Sequence, residues 1–299
     1  MSLTGQSRGI LFMLVASFCF ALTGACARYL RDDINPIELV LFRNLIGVGF
    51  ILYSIKRTPV VQTGGKIWLL IFRGVIGTLA LYTFFYGISN IGLAISITYQ
   101  QSYPVFLALA AAWYFGEKLK LSEWVAIIIG FAGICLIFLP SVDTSGLSVK
   151  HHFTGIANAV MTGMAYLSIR GLSEIYDQRS IILSFMLSGI VLPVMSLTTG
   201  SFVETTHFDF IIDDFDVPEL SHYPVILLLG IAALFGQIYL TKAFSFQKTG
   251  VIGAVGYSNI VFSIIFGTLL GDAFPGLLSL IGIIMIIVCG MLISFRKSL

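Results

Sequence analysis

In the middle of a long apolar stretch, Ser96, Tyr99, Gln100 and Tyr103 recur at i, i+3, i+4 and i+7, the spacing that places side chains on one face of an α-helix. Hydrocarbon offers hydroxyl and amide groups no hydrogen bonds, so such a face must meet protein or a water-filled cavity. A second polar centre, Tyr257, Ser258 and Asn259, interrupts another apolar stretch. Arg43 lies well inside a third, and Tyr82 falls on a stripe with Thr78, Phe85 and Ser89. Tyr82, Tyr99, Gln100, Tyr103, Tyr257, Asn259 and Arg43 are therefore the candidate substrate-binding residues. Phenols, amides and a guanidinium provide flat amphipathic surface, hydrogen bonds and a fixed positive charge, which is the chemistry of holding a small molecule. The competing reading of the polar face is a helix–helix hydrogen-bond seam, and of the aromatic stripe simple packing.

Nothing in the chain has the pattern of a catalytic or metal centre. G-x-S-x-G and H-E-x-x-H are absent, and His151, His152, His207 and His222 fall in or beside loops. Cys19, Cys26, Cys135 and Cys289 all lie in apolar segments with no C-x-x-C pair, which argues against a disulfide framework or a metal site. We expect no cofactor, no metal and no enzymatic activity.

The elements that must position these residues follow from composition. The 299 residues are 57% hydrophobic and 11% charged, with mean hydropathy +0.97, which describes a polytopic membrane protein in a lipid bilayer. A net charge of +2 without a basic run gives no reason to expect nucleic acid. Apolar windows predict ten spans, at 9–30, 36–55, 67–88, 92–115, 122–139, 153–175, 181–199, 223–245, 250–270 and 275–295. The run after Arg8 resembles a signal peptide but lacks a clean cleavage site, so it reads as a retained first span.

Loop charges set the orientation. With the N-terminus cytoplasmic, ten lysines and arginines lie inside and only Arg31 and Lys150 outside, so both termini are expected in the cytoplasm. Trp68, Trp113 and Trp124 then share the cytoplasmic interface, where indoles prefer to sit. The long outer loop 201–222 carries six acids and no lysine or arginine. Its spacing matches no EF-hand, and positive-inside sorting leaves the same acidic signature.

Aligning Gly92 with Gly250 sets Tyr99 on Tyr257 and Gln101 on Asn259, and a three-residue gap brings Gly116-Glu117 onto Gly271-Asp272. Residues 1–140 thus read as one five-helix repeat, 141–152 as a connector and 153–299 as a second repeat. An odd number of spans per half forces the second to enter the membrane from the opposite side. The expected fold is all-α, ten transmembrane helices arranged as two inverted five-helix repeats around a central cavity. Secondary transporters bind substrate at the midplane between such repeats.

These ten spans, the paired G-L-A and G-V-I helix starts, the Y-P-V-F-L-A-L-A-A-A-W-Y-F-G-E-K-L run, the L-L-G-D ending at Asp272 and Arg43 in span two resemble the drug/metabolite transporter superfamily, EamA type. One departure is that Pro104 of the first repeat is replaced by Phe262 in the second. The resemblance implies a basket of helices one to four and six to nine around the cavity, helices five and ten at its periphery, and transport of small metabolites such as amino acids. The expected location is a bacterial inner (plasma) membrane.

Arg73 lies opposite Tyr82 on its helix and close enough to the cytoplasm to snorkel, so the two are not expected to share a cavity. Arg43 is too deep for that; substrate contact and fold-supporting bonds to carbonyls both remain open. No Asp or Glu falls near the middle of a span, Glu38 sitting near the outer end of span two and Glu174 near the inner end of span six. A site open to these cations favours a carboxylate-bearing anion or zwitterion, an amino acid for example, carried by alternating access. A lipid-moving or channel-like protein, or more remotely an intramembrane enzyme, is the competing reading.

Overall fold

A computed structural model describes residues 5–91, 93–116, 120–138, 149–200, 202, 210–246, 249–270, 276–278, 280–282, 284–285 and 288. Span 275–295 lies largely outside these residues, as do Glu117, Asp272, Glu204, Asp209 and most of the connector 141–152. Helices α1 (Gly5–Leu30), α2 (Pro36–Arg57), α3 (Ile67–Ile91), α4 (Leu93–Gln100), α5 (Tyr103–Phe115), α6 (Leu121–Phe138), α7 (Val149–Leu172), α8 (Gln178–Gly200), α9 (Tyr223–Phe246), α10 (Thr249–Val255) and α11 (Ser258–Leu269) make up nearly all of it. No strand occurs among the described residues. Six stretches, 7–30, 36–57, 67–90, 178–200, 220–246 and 251–269, are long and apolar enough to cross a membrane. Helix α7 is as long but less apolar, because its inward face buries Thr154, Asn158, Thr162 and Ser168.

Spans four and nine, expected to be continuous helices, are each split, by a turn at Gln101–Ser102 and at Gly256–Tyr257. The physical cause differs between them. Pro104 has no N–H to give to the carbonyl one turn back, and the chain tightens through Ser102 N–H to Tyr99 O and Val105 N–H to Ser102 O, both 3.1 Å. The second turn has no proline and is made at Gly256, whose N–H donates to Ile252 O and Gly253 O. Side chains of the first turn serve carbonyls at the second. Gln101 Nε2 donates to Gly256 O at 3.3 Å, and the Tyr103 hydroxyl to Gly253 O at 3.4 Å, which supplies the hydrogen bonds that lipid cannot.

The most extensive packing joins α1 to α9 and α3 to α7. Helices α2 and α8 cross between them, with Asn44 against Gly189 and Met186 against Gly47, a glycine facing a larger side chain on each helix. Asn44 Nδ2 donates to Val40 O at 2.7 Å and Gly189 O at 3.3 Å. Among the described helices, α6 packs chiefly on α4 and α10. Outward faces carry Leu11, Phe50, Phe72, Ile128 and Val191 exposed, as lipid-facing surfaces would.

Each end of the bundle is pinned by polar contacts between a loop and a helix end. At one end Asn35 caps α2 through Glu38 N–H, Pro36 starts the helix, and the buried Glu38 carboxylate accepts from Asp216 N–H at 2.6 Å. At the other, Arg179 donates to Ser54 O and Thr58 O at the end of α2 and to both Asp177 oxygens. That guanidinium holds the Asp177 carboxyl below the usual range. Gly64 and Gly65 take positive φ in the loop here, and Gly64 N–H reaches Ile175 O.

A methyl added at Gly256 would overlap the Tyr103 hydroxyl and Met13 Cε, whereas one at Gly49 meets nothing. Gly256→Ala should destabilise the protein by about 1–3 kcal/mol, the usual cost of overpacking. Thermal unfolding in detergent would show this as a lowered Tm, with Gly49→Ala as the unchanged control.

Candidate functional site

Between the two turns lies a cavity of about 700 Å³, its open mouth included. Ser17, Phe20 and Thr23 from α1, Arg43 from α2, Phe84 and Phe85 from α3, Gln100, Gln101 and Tyr103 at the first turn, Tyr166 from α7, Gln237 from α9 and Gly256, Asn259 and Ser263 at the second turn line it. A smaller space of about 310 Å³ adjoins it, lined by Arg73, Gly77, Thr162 and Phe185 and sharing Leu81, Gln100, Tyr166 and Gln237 with the first.

Arg43 is 3% exposed, and its Nε has no hydrogen-bond partner among the described residues. Its guanidinium carbon stands 5.8 Å from the centre of the Phe185 ring. The α2–α8 crossing puts it there, since Asn44 against Gly189 sets the rotation of α2 and turns position 43 toward the centre.

Arg73 was expected to snorkel, and it does not. It is 1% exposed, donates from Nη2 to Gln237 Oε1 at 3.1 Å and lies 4.5 Å from the Phe185 ring centre. Gly77 makes this fold-back feasible, because a Cβ there would collide with Arg73 Nη1 and the Phe185 ring. One phenyl ring thus faces two guanidinium groups, and cation–π attraction recovers part of their lost hydration. It supplies no negative charge. Among the described residues no Asp or Glu lines either cavity, and the ion pairs, Arg31–Asp32, Arg179–Asp177 and His222–Asp33, lie at the ends of the bundle.

Of the seven candidates, Arg43, Gln100, Tyr103 and Asn259 line the central cavity. Asn259 Nδ2 donates to Ser17 O at 2.9 Å, and the Tyr103 ring meets Tyr166 edge-on at 5.0 Å. The other three lie elsewhere. The Tyr82 hydroxyl bonds Ser196 Oγ at 3.1 Å within an apolar cluster, Tyr99 packs over Gly155 and bonds His152 Nδ1 at 2.5 Å, and Tyr257 is fully buried in the core. The helical face expected to carry Tyr99 with Tyr103 is broken by the turn between them. Sequence reasoning missed Gln237 and Tyr166; the signal for the first was a lone amide in the apolar run L-F-G-Q-I-Y.

A model of the EamA-like transporter family matches residues 7–139. A transporter from Helicobacter pylori (strain ATCC 700392 / 26695), described as uncharacterized, is 32% identical over 295 residues, 97% of this chain and 96% of its own. This chain belongs to the EamA-like transporter family. The pseudopaline exporter CntI of Pseudomonas aeruginosa is 27% identical over 97% of both chains. The S-adenosylmethionine uptake transporter of Rickettsia conorii is 20% identical over 97% of this chain and 93% of that one. A crystal structure with 17% sequence identity superposes with a TM-score of 0.77 over 96% of each chain, a likeness of fold. As a member of a transporter family with six apolar helices of spanning length, the EamA-type protein is an integral membrane transporter.

Among the described residues Gln237 is the hydrogen-bond partner that fixes Arg73 against Phe185. Gln237→Leu should therefore cost about 1.5–3 kcal/mol, the range for hydrogen bonds to charged groups. Gln237→Glu, which supplies a charged acceptor, should retain or raise the melting temperature in the same thermal assay.

Proposed function

We propose that this EamA-type protein is a secondary transporter that carries a small carboxylate-bearing anion or zwitterion, such as an amino acid, in the central cavity by alternating access across a bacterial inner membrane. The observation that carries this reading is the buried Arg43 guanidinium, which lines the cavity without a carboxylate partner among the described residues. An unpaired buried charge costs several kcal/mol, and a substrate carboxylate accepting both arms of the guanidinium fork removes that cost. In this reading Gln100 and Asn259 fix the polar groups of the substrate, while Tyr103, Phe84 and Phe85 receive its apolar body.

Residues 1–140 and 153–299 act as two inverted repeats joined by the connector 141–152. Helix pairing supports this: exchanging the two halves turns the α1–α9 contact into α7–α3, the α2–α9 contact into α8–α3 and the α1–α11 contact into α7–α5, all of which occur, and leaves α2 on α8. Broken helices at the midplane, one per repeat, are the usual site of substrate in such transporters. Lysines and arginines outnumber acids in the described loop segments at the end holding Lys56, Arg57 and Lys66, and acids dominate at the end holding Asp33, Asp213, Asp214 and Asp216, which supports cytoplasmic termini.

In proteoliposomes, Arg43→Lys should lower carboxylate transport by about tenfold or more, because it keeps the charge and loses the bidentate fork. Gln100→Ala should weaken substrate binding without loss of folded protein. Saturable transport of quaternary ammonium ions, with amino and organic acids ignored and both variants unaffected, would overturn the assignment. The orientation has its own test: Val217 is 77% exposed, and Val217→Cys should react with an impermeant maleimide in intact spheroplasts. Labelling only after lysis would reverse the topology.

A further inference from the structure

Resting on that reading of the cavity, we infer that the substrate carries two separate carboxylates, one held by Arg43 in the central cavity and the other by Arg73 in the adjoining one. Four observations combine. Both guanidiniums are almost wholly buried, at 3% and 1% exposure, and in each the Nε lacks a partner. They line different cavities, and those cavities share a wall of Gln100, Tyr166 and Gln237, so a ligand can extend from one to the other along hydrogen-bonding groups. Their guanidinium carbons are 5.8 and 4.5 Å from the centre of the same ring, so they are no more than about 10 Å apart. Among the described residues no acidic side chain lines either space.

Charge balance then decides the class of ligand. At low dielectric two like charges this close repel, and each still lacks a counter-charge. A monocarboxylate on Arg43 leaves Arg73 with a neutral amide, Gln237, as its hydrogen-bond partner among the described residues. A doubly charged compact ion such as phosphate concentrates both charges at one point, whereas the two guanidiniums line different cavities. A flexible dicarboxylate meets both conditions, and its connecting carbons would lie along Leu81 and the Tyr166 ring. An additional amino group is compatible, because Gln100 and Gln237 offer carbonyl oxygens to it.

The test compares ligands on the purified wild-type protein, so it does not depend on a variant folding. Affinities of malonate, succinate, glutarate, adipate and pimelate would be measured at neutral pH against the monocarboxylate of the same chain length and against inorganic phosphate. At one chain length the dicarboxylate should bind about tenfold or more tighter than its monocarboxylate, the gain of a second charge-assisted contact. Arg73→Gln should weaken dicarboxylates about tenfold more than monocarboxylates, and Arg73→Lys should recover part of the difference. Equal affinity of mono- and dicarboxylates at every length overturns this inference and leaves the carboxylate reading intact. So does phosphate binding as tightly as the best dicarboxylate, or an Arg73→Gln protein that keeps the wild-type ratio. Binding of neither acid class, with an organic cation bound instead, overturns both.

Discussion

Two guanidinium groups against one phenyl ring, buried with no acid beside them among the described residues, are the constraint that the centre of this transporter is built around. A cation withdrawn from water must be hydrogen-bonded, shared with a π-face or matched by an anion. Gln237 provides the first for Arg73, Phe185 provides the second for both arginines, and the third is left to whatever enters the cavity. Much of the surrounding packing exists to permit this. Gly77 gives Arg73 room to fold back, and the contacts of Asn44 with Gly189 and of Met186 with Gly47 hold α2 in the rotation that aims Arg43 inward.

The paired helix breaks answer a different requirement. A turn in mid-membrane frees carbonyls, and free carbonyls in hydrocarbon are costly. Here Gln101 and Tyr103 of one turn serve the carbonyls of Gly256 and Gly253 at the other. The amide of Gln101 and the hydroxyl of Tyr103 thus already form long hydrogen bonds to backbone carbonyls beside the cavity. Bonds of this kind contribute little net stability each, because water or another polar group can replace either partner.

The outer contacts are of another kind. Glu38 on Asp216 N–H, and Arg179 on the last carbonyls of α2, join loops to helix ends and touch no cavity. An acid near a helix N-terminus and a base near a C-terminus each complement the helix dipole. That explains why Glu38 is buried without serving the site: its first oxygen is committed to the loop before α9.

Read alone, the sequence determined the membrane character, the helices observed as α1, α2, α3, α6, α7, α8 and α9 to within a few residues, and the burial of Arg43. Each follows from hydropathy and from the expense of polar groups in lipid, which are properties of single segments. Tertiary structure decided which polar residues share one space. Tyr99, Tyr82 and Tyr257 have the same chemistry as Tyr103, yet His152, Ser196 and the apolar core take them out of the cavity, because a turn at Gln101 rotates the chain and neighbouring helices fill the remaining directions. Arg73 was placed at the membrane edge by counting along its own helix, and only a contact with Gln237, 164 residues away, turned it inward. Periodicity specifies a face of one helix; which partner meets that face is fixed by the packing of helices distant in sequence.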